Sequence, residues 1–298
     1  MIVLCIGHAS YDISLPVKTY PKENTKYRLE NKFECGGGPA SNAAYLLGKW
    51  KINTYFQGTV GNDVYGNRLI DEFKNIGVNT SYIEQTDKED TSLSFILINE
   101  KNGSRTLFYI GKKKVQPTNS NYDFKPDIIL IDGNHYEISK EAFKAFPKAI
   151  KVIDAGRVTE ELLDLCSEVD YLICSKGFAE TTTKIRIDYK NNKTLKEVYE
   201  SLEKMYNSKI VVTLEEKGCL YKLNGKIKLM KGLKVKAVDT TGAGDIFHGA
   251  FVYGLAKNFE FEKCLKIANI TGGLSVTKMG SRTSIPELKE VIKIYEGD

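Results

Sequence analysis

No apolar run in this chain of 298 residues approaches the roughly 20 consecutive residues that a helix needs to cross a bilayer. The opening Met1-Ile2-Val3-Leu4-Cys5-Ile6-Gly7 lacks a basic leader and ends too soon for a secretory signal. A membrane partner is therefore not expected, and a cytoplasmic setting is. No Cys-x-x-Cys pair occurs. The 6 cysteines, at 5, 35, 166, 174, 219 and 264, are scattered and mostly embedded in apolar stretches, which fits buried free thiols in a reducing compartment better than disulfides or a metal cluster. Long runs of one charge are missing too. The formal charge of +5 is spread over a lysine-rich surface, and its longest basic cluster, Lys112-Lys113-Lys114, is too little to argue for nucleic acid. Neither a Gly-x-Gly-x-x-Gly after the first strand nor a P-loop Gly-Lys-Ser/Thr is present, so dinucleotide binding is poorly supported.

What is there is a rhythm. Short apolar runs of strand character, at 2–6, 54–60, 127–132, 150–154, 171–174 and 209–214, alternate with helical spacing at 63–76, 139–147, 159–166 and 194–206. Such alternation predicts an α/β fold, a doubly wound, mostly parallel central sheet flanked by helices. Two stretches interrupt it. Residues 14–33 are polar and extended, with Pro16 and Pro21 excluding a helix. Within 91–112, runs at 91–98 and 105–110 flank Glu100-Lys101-Asn102-Gly103-Ser104 as the arms of a β-hairpin would. Together they predict a small sheet inserted into a single domain spanning 1–298, because no repeat or low-complexity linker marks a second one.

Three loops carry candidate chemistry. The first strand ends in Gly7-His8-Ala9-Ser10-Tyr11-Asp12, and ligands gather outside the carboxyl ends of strands in open parallel sheets, which makes Asp12 a candidate ligand residue. Cys35-Gly36-Gly37-Gly38-Pro39-Ala40-Ser41-Asn42 feeds a helix carrying Tyr45, Leu46, Leu47 and Trp50. There Ser41 or Asn42 either caps the helix or, with three glycines permitting close approach, Asn42 binds a small ligand. The third loop is Asp239-Thr240-Thr241-Gly242-Ala243-Gly244-Asp245. It follows a strand-like alternation at 227–238 and precedes apolar residues at 246, 247, 250, 251 and 255. The bare backbone of Gly242, Ala243 and Gly244 at the positive end of a helix forms an anion cradle. Asp245 is then either an ordinary first-turn acid or a carboxylate that takes a proton or metal during a reaction. His248 reads as packed, and Arg157 as a phosphate contact or a surface ion pair.

The order and separation of the two glycine loops resemble the paired signatures of the ribokinase-like (PfkB) family of carbohydrate kinases, and the similarity spans the whole chain. The resemblance implies a lid of inserted strands and ATP-dependent transfer of a phosphoryl group to a sugar hydroxyl. It implies Asp245 as general base, with the N–H groups of Gly242, Ala243 and Gly244 holding the developing charge. Asp12 and Asn42, with Gly37 and Gly38, would hold the sugar. Thr213, Gly218 and Asn269 match the nucleotide segment, although Glu215 replaces a usual glycine there. Asp239 and Thr241 match a monovalent-cation site for K⁺. Most members carry Asn-x-x-Glu where this chain has Ser175-Lys176-Gly177-Phe178, which leaves Mg²⁺ to the ATP phosphates and waters. That Ser-initiated variant, with Gly36-Gly37-Gly38-Pro39 and Asp154-Ala155-Gly156-Arg157, looks like the ketohexokinase and sulfofructose kinase branches. The implied substrate is a ketohexose-like sugar or a pentose. A nucleoside kinase using Phe33, Phe95, Phe108 and Tyr109 as a slot for the base, or a sugar-binding regulator without catalysis, are the alternatives. A homodimer through the lid is implied as well.

Overall fold

The computed structural model describes residues 1–111 and 115–297; the Lys112-Lys113-Lys114 cluster, and with it the end of the 91–112 stretch, lies outside the described residues. In chain order the strands are β1 (Ile2–Ile6), β2 (Ser10–Val17), β3 (Phe33–Gly37), β4 (Asn53–Gly61), β5 (Asn79–Thr86), β6 (Ser92–Asn99) and β7 (Arg105–Ile110). They continue with β8 (Ile128–Ile131), β9 (Ile150–Ala155), β10 (Tyr171–Ser175), β11 (Lys209–Thr213), β12 (Cys219–Leu223) and β13 (Lys226–Met230). The helices are α1 (Pro39–Lys49), α2 (Val64–Ile76), α3 (Tyr136–Ala145), α4 (Glu160–Cys166), α5 (Lys176–Thr183), α6 (Asn192–Met205), α7 (Ala243–Ala256), α8 (Phe261–Ser275) and α9 (Leu288–Gly297).

Among the described residues, nine strands form the main sheet in the order β13-β12-β11-β10-β9-β8-β1-β4-β5. All neighbours are parallel except β11 with β12 and β12 with β13. The apolar runs follow from burial on both faces. In β1, Val3 and Cys5 enter the core under α1, α2, α7 and α8, whereas Leu4 and Ile6 enter the one under α3 to α6. From β1 the chain first fills the β4 and β5 side, then returns to β8 on the other flank. The crevice beyond the carboxyl ends of β1 and β8 is therefore the topological switch point, where ligands bind in such sheets. Helix α7 is buried along its length from Ile246 to Ala256 and packs between α1 and α8, as a helix apolar all round must.

A second sheet of four strands, β3-β2-β6-β7, stands over this crevice as the lid. Its β2–β6 pair is parallel; its other pairs are antiparallel. One cross-strand row joins Cys35, Asp12, Ser94 and Tyr109. Side chains in such a row share a face, and Ser10, two residues from Asp12, joins it with a hydroxyl bonded to the Asp12 carboxylate at 3.1 Å.

The structure corrects three local expectations. Residues 227–238 are not one strand: β13 ends at Met230, and 231–238 run on without strand pairing, tied at Lys231 and Gly232 to Asn269 and Lys217 and at Val238 to the Val276 carbonyl. Asp12 lies within lid strand β2 rather than on a loop after β1. Neither Ser41 nor Asn42 caps α1; Gly38, at φ 97°, is the N-cap and makes no side-chain cap bond, and both polar residues are buried in the first turn. The six cysteines are all free and buried. Among the described residues no helix is long and apolar enough to cross a membrane.

Candidate active site

Gly242, in the left-handed conformation at φ 74°, turns the chain into α7 and caps it without a side-chain bond. The first amides of a helix have no carbonyl behind them, so those of Gly244 and Asp245 are left at the positive end of the helix dipole, while the Ala243 amide reaches back to the Thr240 carbonyl at 3.5 Å. A Cβ on Gly244 would meet nothing within 4 Å, which leaves the cradle open to a ligand. Beneath it, Asp239 Oδ1 accepts from the Thr241 amide at 2.9 Å and Oδ2 from the Gly280 amide at 2.8 Å, fastening the loop to the C-terminal segment.

Asp245, half-buried in the first turn of α7, accepts a 2.7 Å hydrogen bond from Asn42 Nδ2 in the first turn of α1. Burial pushes its carboxyl above the usual range, and the Asn42 bond, His248 and Arg105 pull it back. Asp12 is pushed up to about 6 by burial, against the pull of the Ser94 and Ser10 hydroxyls and with a further push from Asp245. His248 is packed, as the sequence suggests, but it also has a role in charge. Its Nδ1 lies 2.6 Å from the Gly244 carbonyl oxygen and 3.2 Å from Asp154 Oδ2, and its Nε2 lies 3.2 Å from the Ile173 carbonyl oxygen. Asp154 is raised to about 7 by burial despite His248, with Asp245 and Asp132 adding to the rise.

The other candidates separate into groups. Gly37 and Gly38 are filled from within: a Cβ on Gly37 would lie 2.2 Å from Asp12 Oδ2, and one on Gly38 2.1 Å from the His8 carbonyl oxygen. Thr213 donates to the Cys174 carbonyl at 3.3 Å at the end of β11. Gly218, at φ 97°, follows the turn at Glu215–Lys217, and Asn269 donates to the Lys231 carbonyl at 2.7 Å. Gly218 and Asn269 are linked through Lys231 and Gly232, beside a cleft of about 820 Å³ that includes Tyr189, Lys217, Lys231, Lys234 and Lys236 in its walls. Glu215, which stands where glycine is usual, adopts φ 55°, a left-handed conformation that costs a non-glycine residue free energy. Arg157 donates to Asn134 Oδ1 and makes no ion pair among the described contacts.

Two metal questions have opposite answers. Thr241 Oγ1 is buried without a hydrogen-bond partner, and the Asp239 carboxylate has lone pairs beyond its two N–H bonds, so this pair suits a cation. Ser175 Oγ accepts from the Phe178 amide and donates to the Gly156 carbonyl, while Phe178 is 1% exposed in the core. That segment offers no metal carboxylate. Among the described residues no cluster of three or more His, Cys, Asp or Glu forms a metal site.

Several residues escaped sequence reasoning. Asp132, at the switch point, binds the amides of His8, Ala40 and Asn134; its position at the end of the 128–131 run was the available signal. Arg105, at the start of lid strand β7, donates from Nη1 to the Thr240 carbonyl at 2.9 Å and to its hydroxyl at 2.8 Å. Gly103 of the same hairpin accepts from the Thr240 amide and hydroxyl. Arg282 and Glu72, below the Asn42 loop, had no motif around them.

A sequence profile of the pfkB family carbohydrate kinases matches residues 2–288. A nucleoside kinase of Methanocaldococcus jannaschii is 25% identical over 301 residues, 99% of this chain and 96% of the relative. The crystal structure of a ribokinase from Thermotoga maritima superposes with a TM-score of 0.79 at 26% identity, covering 99% of both chains. An Arabidopsis thaliana ribokinase, solved with ribose and ATP, shares the fold at a TM-score of 0.78 and 22% identity, covering 98% of this chain and 97% of that one.

Proposed function

The chain belongs to the pfkB family of carbohydrate kinases, and from that premise we propose that it transfers the γ-phosphoryl group of ATP to a hydroxyl of a small sugar, ketohexose-like or pentose, with Asp245 as general base. Kinases of this family are ATP-dependent and use ATP with Mg²⁺. The observation that carries the site assignment is the 2.7 Å bond between Asn42 and Asp245, which joins residues 203 positions apart at the open end of α7.

Phosphoryl transfer asks for in-line alignment and for charge compensation on the transferring oxygens. The amides of Gly242, Ala243 and Gly244 would supply the second, and Arg105 adds a cation from the lid. Asp245 takes the proton of the attacking hydroxyl. Asp12 and Asn42, framed by Gly37 and Gly38, position the sugar, and the polar lid row of Asp12, Ser94 and Ser10 supports a hydroxyl-rich substrate. Thr213, Gly218 and Asn269 hold the nucleotide. Ser175 and Phe178 provide no carboxylate, so Mg²⁺ would be held by the ATP phosphates, where it would neutralise their charge. K⁺ at Asp239 and Thr241 would add positive charge beneath the cradle. The Ser175 variant supports placement with the ketohexokinase and sulfofructose kinase branches. The whole chain, 1–298, acts as one domain in the cytoplasm, and its lid excludes water from the γ-phosphate. Phe108 and Ile110, which alternate onto the face of β7 opposite Tyr109, are 54% and 57% exposed, which supports a homodimer through the lid.

A second reading, a nucleoside kinase, draws on Tyr109, whose ring meets the edge of His8 at 5.9 Å on the lid row and could stack a base. An ADP-release screen of sugars and nucleosides with Mg-ATP, with and without K⁺, tests both. Release with a ketohexose or pentose is expected. Release only with nucleosides selects the second reading, and none with any acceptor leaves a sugar-binding regulator.

A further inference from the structure

Arg282, on the segment after α8, is 2% exposed, an unusual place for a cation. Its guanidinium lies over the rings of Tyr45 and Phe73, 4.9 and 4.6 Å from their centroids. Nη1 donates to Glu72 Oε2 at 2.7 Å, Nη2 to Ser41 Oγ at 2.5 Å, and Nε to Asn42 Oδ1 at 3.3 Å. The carboxylate of Glu72 also takes the Gly36 amide, and a Cβ on Gly36 would lie 2.2 Å from the guanidinium carbon, so glycine is required there for the arginine to enter. Every nitrogen of the fork thus has its own acceptor.

The consequence falls on Asn42. A carboxamide can present either oxygen or NH₂ to a neighbour, and the choice is set by its bonding partners. An arginine has donors only, so the Asn42 atom facing it must be the oxygen. The NH₂ then faces Asp245, where it is found at 2.7 Å. We propose that Arg282 is a positioning residue for the phosphoryl transfer: its guanidinium locks the Asn42 carboxamide with the NH₂ toward Asp245, so that the base is held ionised and aimed. With the amide reversed, an oxygen would oppose the Asp245 carboxylate.

The inference rests on Asp245 as the base. Burial raises the Asp245 carboxyl, and the groups that act on it come from several elements. Asn42 on α1, His248 on α7 and Arg105 on β7 favour the ionised form, and Asp132 after β8 opposes it. Asp154 on β9 and Asp12 on β2 are also coupled to it by like charge. Of these, Asn42 has its donor orientation set by a partner outside the site.

The test is the pH profile of kcat for Arg282→Met and Arg282→Lys, with Asn42→Ala and the Asn42→Ala/Arg282→Met double variant. Lysine keeps the charge and chain but cannot serve three acceptors as a fork, and it remains informative if the methionine variant fails to fold. In Arg282→Met, kcat should fall about tenfold, with KM for ATP within about twofold of wild type and the acid limb moved to higher pH. Arg282→Lys should lie between. On an Asn42→Ala background the arginine substitution should change kcat and the acid limb little further, because the group it orients is gone. An unchanged acid limb in both single variants, or full multiplication of the two losses in the double variant, overturns the proposal. Asp245→Asn run in parallel separates the two levels: if it turns over normally the base assignment itself fails, whereas if it is inactive while the arginine variants match wild type, only the positioning role fails.

Discussion

In the loop ahead of α1, a Cβ on Gly36, Gly37 or Gly38 would lie 2.1 to 2.2 Å from the Arg282 guanidinium, the Asp12 carboxylate or the His8 carbonyl; ahead of α7, one on Gly244 would meet nothing within 4 Å. Both loops open a helix at a glycine of positive φ with no side-chain cap. The first is bare because the chain packs its own groups into it. The second has Ser281 against Gly242, where a Cβ would lie 2.7 Å from the serine Cβ, but is open at Gly244. Glycine richness therefore marks two different things here, and only the α7 loop is free to take an anion directly; the α1 loop acts through the side chains it admits.

The largest expected effect separates chemistry from binding within the α7 loop. Asp245→Asn should lower turnover by about 10² to 10⁴-fold while leaving nucleotide affinity near wild type, read by ADP release and nucleotide titration. Near-normal turnover would remove the distinction. Gly244→Ala should come next: up to about a hundredfold loss of kcat with a melting temperature near wild type, since the added Cβ meets only the space open to the ligand. A large fall in stability instead would erase the contrast between the loops. Arg105→Met, which removes the lid cation from Thr240 but no packed atom of the sheet, should cost roughly tenfold in kcat. Gly37→Ala is the counterpart in the α1 loop. Overpacking against Asp12 should lower stability by about 1–3 kcal/mol in denaturant unfolding, before any question of catalysis arises.

The smallest effect concerns Asp12, the carboxylate that Gly37 admits. Its folded-state pKa of about 6 is raised above 3.8, so the folded form holds the proton more tightly. Its contribution to stability is fully present below about pH 3.8 and is lost as pH rises through about 6. Relative to wild type, Asp12→Asn should gain on the order of 2 kcal/mol between pH 4 and pH 7 in paired denaturation curves. A gap independent of pH would mean that Asp12 is not held in a desolvated niche.

Much of the frame was legible beforehand because burial on both faces leaves continuous apolar runs such as 128–131 and 210–212, and amphipathic helices such as α2 announce their ends with Asp63 and Gly77. The 231–238 segment misled because alternation alone does not create a neighbouring strand; its backbone partners include the Asn269 side chain and the carbonyls of Lys217 and Val276, none of them in an adjacent strand. At the site, Asp245, Asn42 and Asp12 sit in or beside motifs with a physical signature. Arg105 and Arg282 do not, because a cation on a hairpin or a C-terminal loop looks like any solvated charge until the fold buries or docks it.

The sequence by itself determined the alternation of strands and helices, the two glycine loops and the carboxylate after the second, since these follow from local periodicity and backbone freedom. Tertiary structure alone decided which glycines were open and which were occupied, that Phe178 belongs to the core, and that Asn42 offers its NH₂ to Asp245. Each depends on atoms that approach from far along the chain: Asp12 through the lid sheet, Arg105 through its hairpin, and Arg282 across 240 positions to Asn42. Local preference has no access to such contacts, which exist only once both hydrophobic faces of the sheet have been covered.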